Sequence, residues 1–338
     1  MKRLLYIGIL SHGTTSKMRA EILKDILKDW NFSFIDTDIP KNSMHRIWQS
    51  IGFRYKKGPL IRKVNNYIKE NISESFYDLI WIDKAIYITP KTTKLLRNFT
   101  KKLIHFTPDP AFLFHKSNLF YNSIKYYDFV ITTKKFEIDK YSKLISNEKI
   151  IYVTQGFSKD LHRPIMEFEE KQGITFIGHY EKERETFLQL LIDNNIELNL
   201  AGINWEPFAK KNKHNKNLKY FGSGVYGEDY IKLINKSLIA WGSVSKWIPE
   251  KHTTRTFEIP ACRTALLTER NEELISFFNE DEVIFYNTKE EMINKIKYYL
   301  SHRDQLKFLS NKGYNRVVKD GRDYKSILKK TCNVINVI

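Results

Sequence analysis

The sequence predicts an α/β protein built from two doubly wound parallel-sheet domains, and three observations carry that expectation. The chain has 338 residues, room for two domains of about 150 residues, each with its own core. Short apolar, β-branched runs recur along it, separated by amphipathic stretches of helical periodicity. The pattern runs twice, and between the copies lies a charged segment, Ser158–Gly173, broken by Pro164, which reads as a linker. Strand, helix, strand repeated in this way gives parallel strands with right-handed crossovers. The expected domains are residues 1–160 and 161–338, the last helix being free to pack back on the first domain.

In the first half the strand runs are Leu4–Leu10, Phe32–Asp36, Leu79–Asp83, Leu103–Thr107, Phe129–Thr133 and Ile150–Thr154. The second half gives Ile174–Gly178, Leu198–Ile203, Leu218–Gly222, Leu238–Gly242, Ala265–Thr268 and Val283–Tyr286. The clearest helix between runs is Glu290–Leu300, where Met292, Ile293, Ile296, Tyr299 and Leu300 share one face. No repeat of shorter period stands out.

Composition narrows the class. With 42% hydrophobic and 28% charged residues and few Gly or Pro, the chain reads as globular rather than disordered. Two cysteines, Cys262 and Cys332, form neither a disulfide framework nor a metal-ligand pair, as suits a reducing, cytoplasmic setting. The opening MKRLLYIGIL has a basic start, but its apolar run is short and no small-residue cleavage site follows, so it reads as a first strand. No apolar stretch approaches the ~18 residues of a membrane helix.

Net charge is +17 and unevenly placed: residues 1–160 hold 28 Lys and Arg against 15 Asp and Glu, and the remainder 28 against 24. Such an excess on one half suits either an anionic partner, such as the inner face of a membrane or a phosphorylated acceptor, or a merely solubilising surface. Nucleic acid is not the expected partner.

The segment richest in chemistry is Glu250–Leu274, EKHTTRTFEIPACRTALLTERNEEL. A polar loop leads into a short helix, then a buried strand. Backbone N–H groups at such a helix start favour an anion, and Arg255 adds a planar fork that can hold a diphosphate bidentately. Glu258, one turn along, can accept from ribose hydroxyls, and its neighbours Phe257 and Ile259 are expected to be buried. Lys246 supplies a further cation. No DxD-like cluster falls in a suitable loop, so neither cofactor nor metal is expected, the helix and cations serving instead.

TTRTFEIPAC followed by strand, acidic residue and helix resembles the spore-maturation CgeB-type glycosyltransferases, relatives of the retaining family-four enzymes with their Glu, seven residues, Glu signature. Ile174–Leu191, Val225–Gly242, the closing helices from Glu290, YYDFVITTKK and GFSKDLHRP also resemble that family. The likeness is good over roughly 120–330 and only outlined before that. It implies the GT-B architecture, two Rossmann-like domains facing across a cleft. It further implies transfer of a sugar from a nucleotide diphosphate sugar to a glycan, lipid-linked or protein acceptor in surface polysaccharide or glycoconjugate synthesis. Arg255 and Glu258 would hold diphosphate and ribose with Thr254 at the helix start, and Glu250 would take the place of the first signature Glu. Arg184, after Gly178, reads as a phosphate contact or as a solvated helix charge. Tyr226 reads as a platform for the base or as packing at a helix start. One departure stands out: Arg263 and Thr264 replace the glycine that usually follows AC, which would crowd the donor or add a phosphate contact.

The competing readings are a sugar-nucleotide epimerase of the same build, which the TRTFEIPA loop disfavours, and a non-catalytic surface-assembly protein. For an inverting reaction a base is needed, and His12, after the first strand, and Asp109, after the fourth, are the candidates. A retaining reaction needs neither, and the sequence leaves the stereochemistry open.

Overall fold

The computed structural model describes every residue except Glu74 and Phe114. It divides into two compact units, residues 1–154 with 324–338, and residues 155–323. The terminal segment therefore belongs with the first unit, and the division falls at 154, ahead of the segment read as a linker.

The first unit runs β1 (Arg3–Gly8), α1 (Thr15–Ile26), β2 (Asn31–Asp36), α2 (Asp38–Asn42), α3 (Arg46–Tyr55), α4 (Pro59–Asn71), β3 (Tyr77–Asp83), α5 (Pro90–Asn98), β4 (Thr100–Thr107), α6 (Asn118–Ser123), β5 (Phe129–Thr132), α7 (Ile138–Ser142) and β6 (Ile150–Tyr152). The second runs β7 (Ile174–Ile177), α8 (Lys182–Asp193), β8 (Leu198–Ala201), α9 (Glu206–Lys211), β9 (Leu218–Tyr220), α10 (Gly227–Asn235), β10 (Ile239–Trp241), α11 (Arg255–Ala261), β11 (Ala265–Glu269), α12 (Glu272–Phe277), β12 (Ile284–Tyr286), α13 (Lys289–Ser301) and α14 (Arg303–Lys319). Helix α15 (Tyr324–Val334) returns to the first unit and packs on α1.

Each unit holds one six-stranded sheet, ordered β2-β1-β3-β4-β5-β6 and β12-β11-β10-β7-β8-β9, and every strand pair is parallel. In each the order reverses once, between β1 and β3 and between β10 and β7. Chain leaving the carboxyl ends of those two neighbours goes to opposite faces of the sheet, so a crevice opens between them.

Strands with both faces covered must be apolar throughout. Leu79–Ile82 accordingly is fully buried, and each sheet has a core on either side. Beneath the first crevice a buried network replaces apolar packing. The Arg19 guanidinium makes two bonds to Asp83, at 2.7 and 3.1 Å, and Tyr6 donates to the same carboxylate at 2.8 Å. A buried charge persists only when paired and hydrogen-bonded in this way.

The turn after α11 departs from the expectation made for it. Arg263 adopts a left-handed φ of 49°, the conformation that suits glycine. Its guanidinium lies over the Tyr314 ring, 4.6 Å from the centroid, at the carboxyl end of α11 and so away from the helix start. The guanidinium is thus engaged within the protein, at the opposite end of α11 from Thr254. The carbonyls left open at this end are satisfied by buried Lys171, whose Nζ reaches Cys262 O at 3.2 Å, Arg263 O at 2.9 Å and Thr264 Oγ1 at 2.9 Å. Burial pulls the Lys171 ammonium down to about 8.

Candidate functional site

In the second unit the strand reversal lies between β7 and β10, and the residues singled out from sequence gather at the carboxyl ends of those strands. Gly178 ends β7. Its N–H donates to Ala201 O and its carbonyl accepts from Trp205 Nε1 at 2.8 Å, so the position serves close packing and offers no free backbone donor. Gly202 lies against it so tightly that a Cβ there would come within 1.9 Å of the Gly178 oxygen.

Helix α8 then carries Arg184 back beneath the loop. Only 2% of this residue is exposed, which removes the reading of a solvated helix charge. Nη1 bonds the His179 carbonyl and pairs with Glu181, both at 3.0 Å. Nη2 is buried with no hydrogen-bond partner among the described residues, and so is Nε of Arg255 at the start of α11. Burial pulls Arg184 below the ordinary guanidinium pKa; Glu181 opposes this, Arg255 adds to it, and Glu250 and Glu269 partly offset it. Two guanidinium groups thus feel each other's charge while each keeps a buried N–H unspent. An unmade hydrogen bond to a charged group costs more than ~1–3 kcal/mol, so the arrangement is suited to an anion supplied from outside.

Glu258, one turn into α11, is fixed by two residues that sequence reasoning passed over. The Tyr230 hydroxyl donates to it at 2.6 Å, and His162 Nε2 lies 3.5 Å from its other oxygen. Phe257 and Ile259 beside it are buried, as expected. Nothing in the local sequence of α11 points to Tyr230 on α10, or to His162 in the segment read as linker. Thr254 is the residue before the helix, and its carbonyl accepts from Phe257 and Glu258 N–H, while its side chain makes no cap. The loop ahead of it is held by buried His252, which lies 3.0 Å from Glu273 and accepts from Gln155 N–H at 3.1 Å.

Lys246 and Tyr226 complete the expected donor residues. Lys246 turns its ammonium to Glu269 at 2.6 Å, leaving its backbone N–H to donate to Glu181. Tyr226 precedes α10 and is 78% exposed.

In the first unit a cavity of about 340 Å³ opens where that sheet's order reverses, lined by Ile9 after β1, Thr37 and Asp38 after β2, and Lys84 and Tyr87 after β3. Asp38 accepts from Ser11 at 2.5 Å and from Lys41 at 2.9 Å. His12 follows Ser11 in an exposed turn locked by Thr14, whose hydroxyl donates to the carbonyls of Ile9 and Ser11 and accepts from Lys17 N–H. Lys84 adopts a left-handed φ of 58° and pairs with Asp109 at 2.6 Å; such strain in a non-glycine residue is concentrated at functional sites. Burial pushes the Asp109 carboxyl up, but Lys84 and His115 outweigh it and hold the pKa below the ordinary value. A paired carboxylate of lowered basicity is a poor proton acceptor. Among the described residues no group of three or more His, Cys, Asp or Glu is placed to hold a metal ion, and no helix is long and apolar enough to cross a membrane.

Two reversal-point crevices in two parallel six-stranded sheets define the GT-B fold, and solved structures agree. HepE of Anabaena, solved with UDP and glucose, is similar over 100% of both chains, with a TM-score of 0.65 at 12% identity. Sucrose-phosphate synthase of Thermosynechococcus elongatus covers 99% of this chain and 98% of its own, with a TM-score of 0.68 at 13% identity. A glycosyltransferase of Rickettsia africae covers 99% and 98%, with a TM-score of 0.62 at 14% identity. Residues 182–333, from α8 onward, match the glycosyl transferase-like family. No curated protein sequence matches the chain significantly.

Proposed function

We propose that this chain is a nucleotide-sugar-dependent glycosyltransferase whose donor diphosphate lies against Arg184 and Arg255 and whose donor ribose is held by Glu258. The observation that carries the reading is the pair of buried guanidinium nitrogens, one from each arginine, left without a partner. The glycosyltransferase domain match supports it over an epimerase or a non-catalytic protein. HepE, of the same fold, was solved with UDP and glucose, so UDP is the first nucleotide to test. The motif TTRTFEIPAC supports the narrower kinship with CgeB-type enzymes.

In the reaction the acceptor hydroxyl oxygen bonds to the anomeric carbon as that carbon's bond to the diphosphate oxygen breaks. Charge grows on the leaving diphosphate, and preorganised donors in a water-poor site stabilise it. Arg184 and Arg255 supply that charge themselves, and we infer a reaction without metal or cofactor. Glu250, whose charge reaches Arg184, would face the sugar, and Tyr226 would close on the base. The acceptor, a glycan, lipid-linked or protein hydroxyl, would enter the cavity beside Asp38 and Lys84. In an inverting reaction His12 takes its proton, Asp109 being held by Lys84; in a retaining one the leaving phosphate oxygen takes it. We place the work in the cytoplasm, with peripheral contact to anionic lipid.

The test is thermal denaturation across nucleoside diphosphates, followed by nucleotide-sugar turnover. One nucleotide should raise the melting temperature, and Arg255→Ala should abolish that rise without lowering the unliganded value. The variant should lose about 2–4 kcal/mol of transition-state stabilisation, a drop of roughly 30- to 1,000-fold. Protection by no nucleotide, or near-normal turnover by the variant, refutes the assignment.

A further inference from the structure

The basic excess of the first half has a definite location. From Ile39 to Lys69 the chain contains eight Lys and Arg and neither Asp nor Glu. This stretch is the excursion between β2 and β3 that forms α2, α3 and α4. Six of the cations, Arg46, Arg54, Lys57, Arg62, Lys63 and Lys69, are exposed, and the unit's ion pairs among the described residues engage none of them.

Helix α3 is the unusual element. A helix on a soluble protein turns its apolar stripe to the core. Here Ile47, Ile51 and Tyr55, at i, i+4 and i+8, share a face with Trp48 at its edge. Yet Ile47 and Tyr55 are each 60% exposed and Trp48 43%. The helix seats on α4 through Gly52 instead, so close to Leu60 that a Cβ would come within 2.6 Å of it. The apolar stripe is thus turned outward, with arginines alongside and the lysines and arginines of α4 nearby in the chain. An apolar stripe with amphipathic aromatics and flanking cations is the chemistry of a helix lying in a membrane interface.

We propose that α3 and the start of α4 form the surface by which this protein docks on anionic lipid, α3 lying in the headgroup layer with Ile47, Trp48 and Tyr55 inserted. This deepens the peripheral-membrane part of the functional reading and rests on it, but is independent of sugar transfer. A second copy of the chain would bring like charges together. Polynucleotide would satisfy the cations but leave the aliphatic side chains in water.

Flotation of the full chain with phosphatidylcholine vesicles, with and without phosphatidylglycerol, decides it. Binding should require the anionic lipid and weaken with salt. Each basic residue near such a surface contributes about fivefold, so Arg54→Gln, Lys57→Gln and Arg62→Gln together should weaken binding on the order of 100-fold. Ile47→Ser with Tyr55→Ser should weaken it at unchanged charge, and both variants should keep their melting temperature and response to nucleoside diphosphate. Those two measurements keep a failed docking surface distinct from a failed transferase assignment. No binding to anionic vesicles at low salt overturns the proposal. So does binding that survives both variants, and so does loss of single-stranded polynucleotide or self-association, rather than lipid, in them.

Discussion

Glu258 shows how a candidate site residue depends on partners remote in sequence. Its carboxylate takes a 2.6 Å hydrogen bond from Tyr230 and has His162 at 3.5 Å, which together fix its rotamer before any ligand arrives. Removing the hydroxyl loses a charge-assisted bond of about 1.5–3 kcal/mol, part of which is the preorganisation of the carboxylate. Tyr230→Phe should therefore weaken nucleoside diphosphate binding about 5- to 20-fold by calorimetry. Pyrophosphate, which has no ribose, should bind as before. Equal losses for both ligands, or none for either, would remove Glu258 from the ribose.

At the scale of one element, α11 joins the candidate site to its support. The helix has only seven residues, with Pro260 inside, so propensity does little to hold it. Lys171 bridges the Cys262 and Arg263 carbonyls just past its end and Thr264. Lys171→Met leaves those acceptors buried and unpaired, and should cost about 3 kcal/mol of unfolding free energy by denaturant titration. Arg263→Gly is expected to behave differently. Gly relieves about 1–2 kcal/mol of left-handed strain, but forfeits the contact with Tyr314, about 0.5–1 kcal/mol. Its greater freedom in the unfolded chain consumes the rest. Net stability should stay within about 1 kcal/mol, and nucleotide affinity should not change. A variant with altered affinity would return Arg263 to the donor.

At the scale of the whole molecule, acid stability is set partly by groups buried neutral. His105 lies in the first core, stacked on Phe120 with ring centroids 4.2 Å apart, and burial pushes its pKa down to about 3. The ordinary value is about 6.5. Between those values the unfolded chain binds the proton and the folded chain does not, so stability falls as pH drops through that window and is fully present above it. The wild type should lose about 2 kcal/mol between pH 7 and pH 5 through this group alone. His105→Gln, less stable at pH 7, should show a correspondingly shallower fall, measured by denaturant midpoints at each pH. Parallel profiles for the two proteins would disprove the role of His105.

Reading the sequence alone located all twelve strands. The run at Leu79–Asp83 became Tyr77–Asp83 and that at Ala265–Thr268 became Ala265–Glu269, while Leu4–Leu10 and Leu198–Ile203 ran past their strands, which end at Gly8 and Ala201. Those runs are legible because a strand covered on both faces must be apolar whatever its neighbours are. The arginines and Glu258 stand out in the sequence as candidates because their types and spacing suit a diphosphate and a ribose. What sequence could not show is which groups spend their hydrogen bonds inside the protein. Gly178 and Lys246 have the right chemistry and place, yet the fold commits one to Ala201 and Trp205 and the other to Glu269. Arg184 could equally have been a surface charge until α8 turned it inward. Tyr230 and His162 carry no mark of their own, since a side chain's contacts with distant residues are set by how the helices pack on the sheet. Apolar burial is a property of each segment and can be read locally; the pairing of polar groups is a property of the packed chain, and only the tertiary structure decides it.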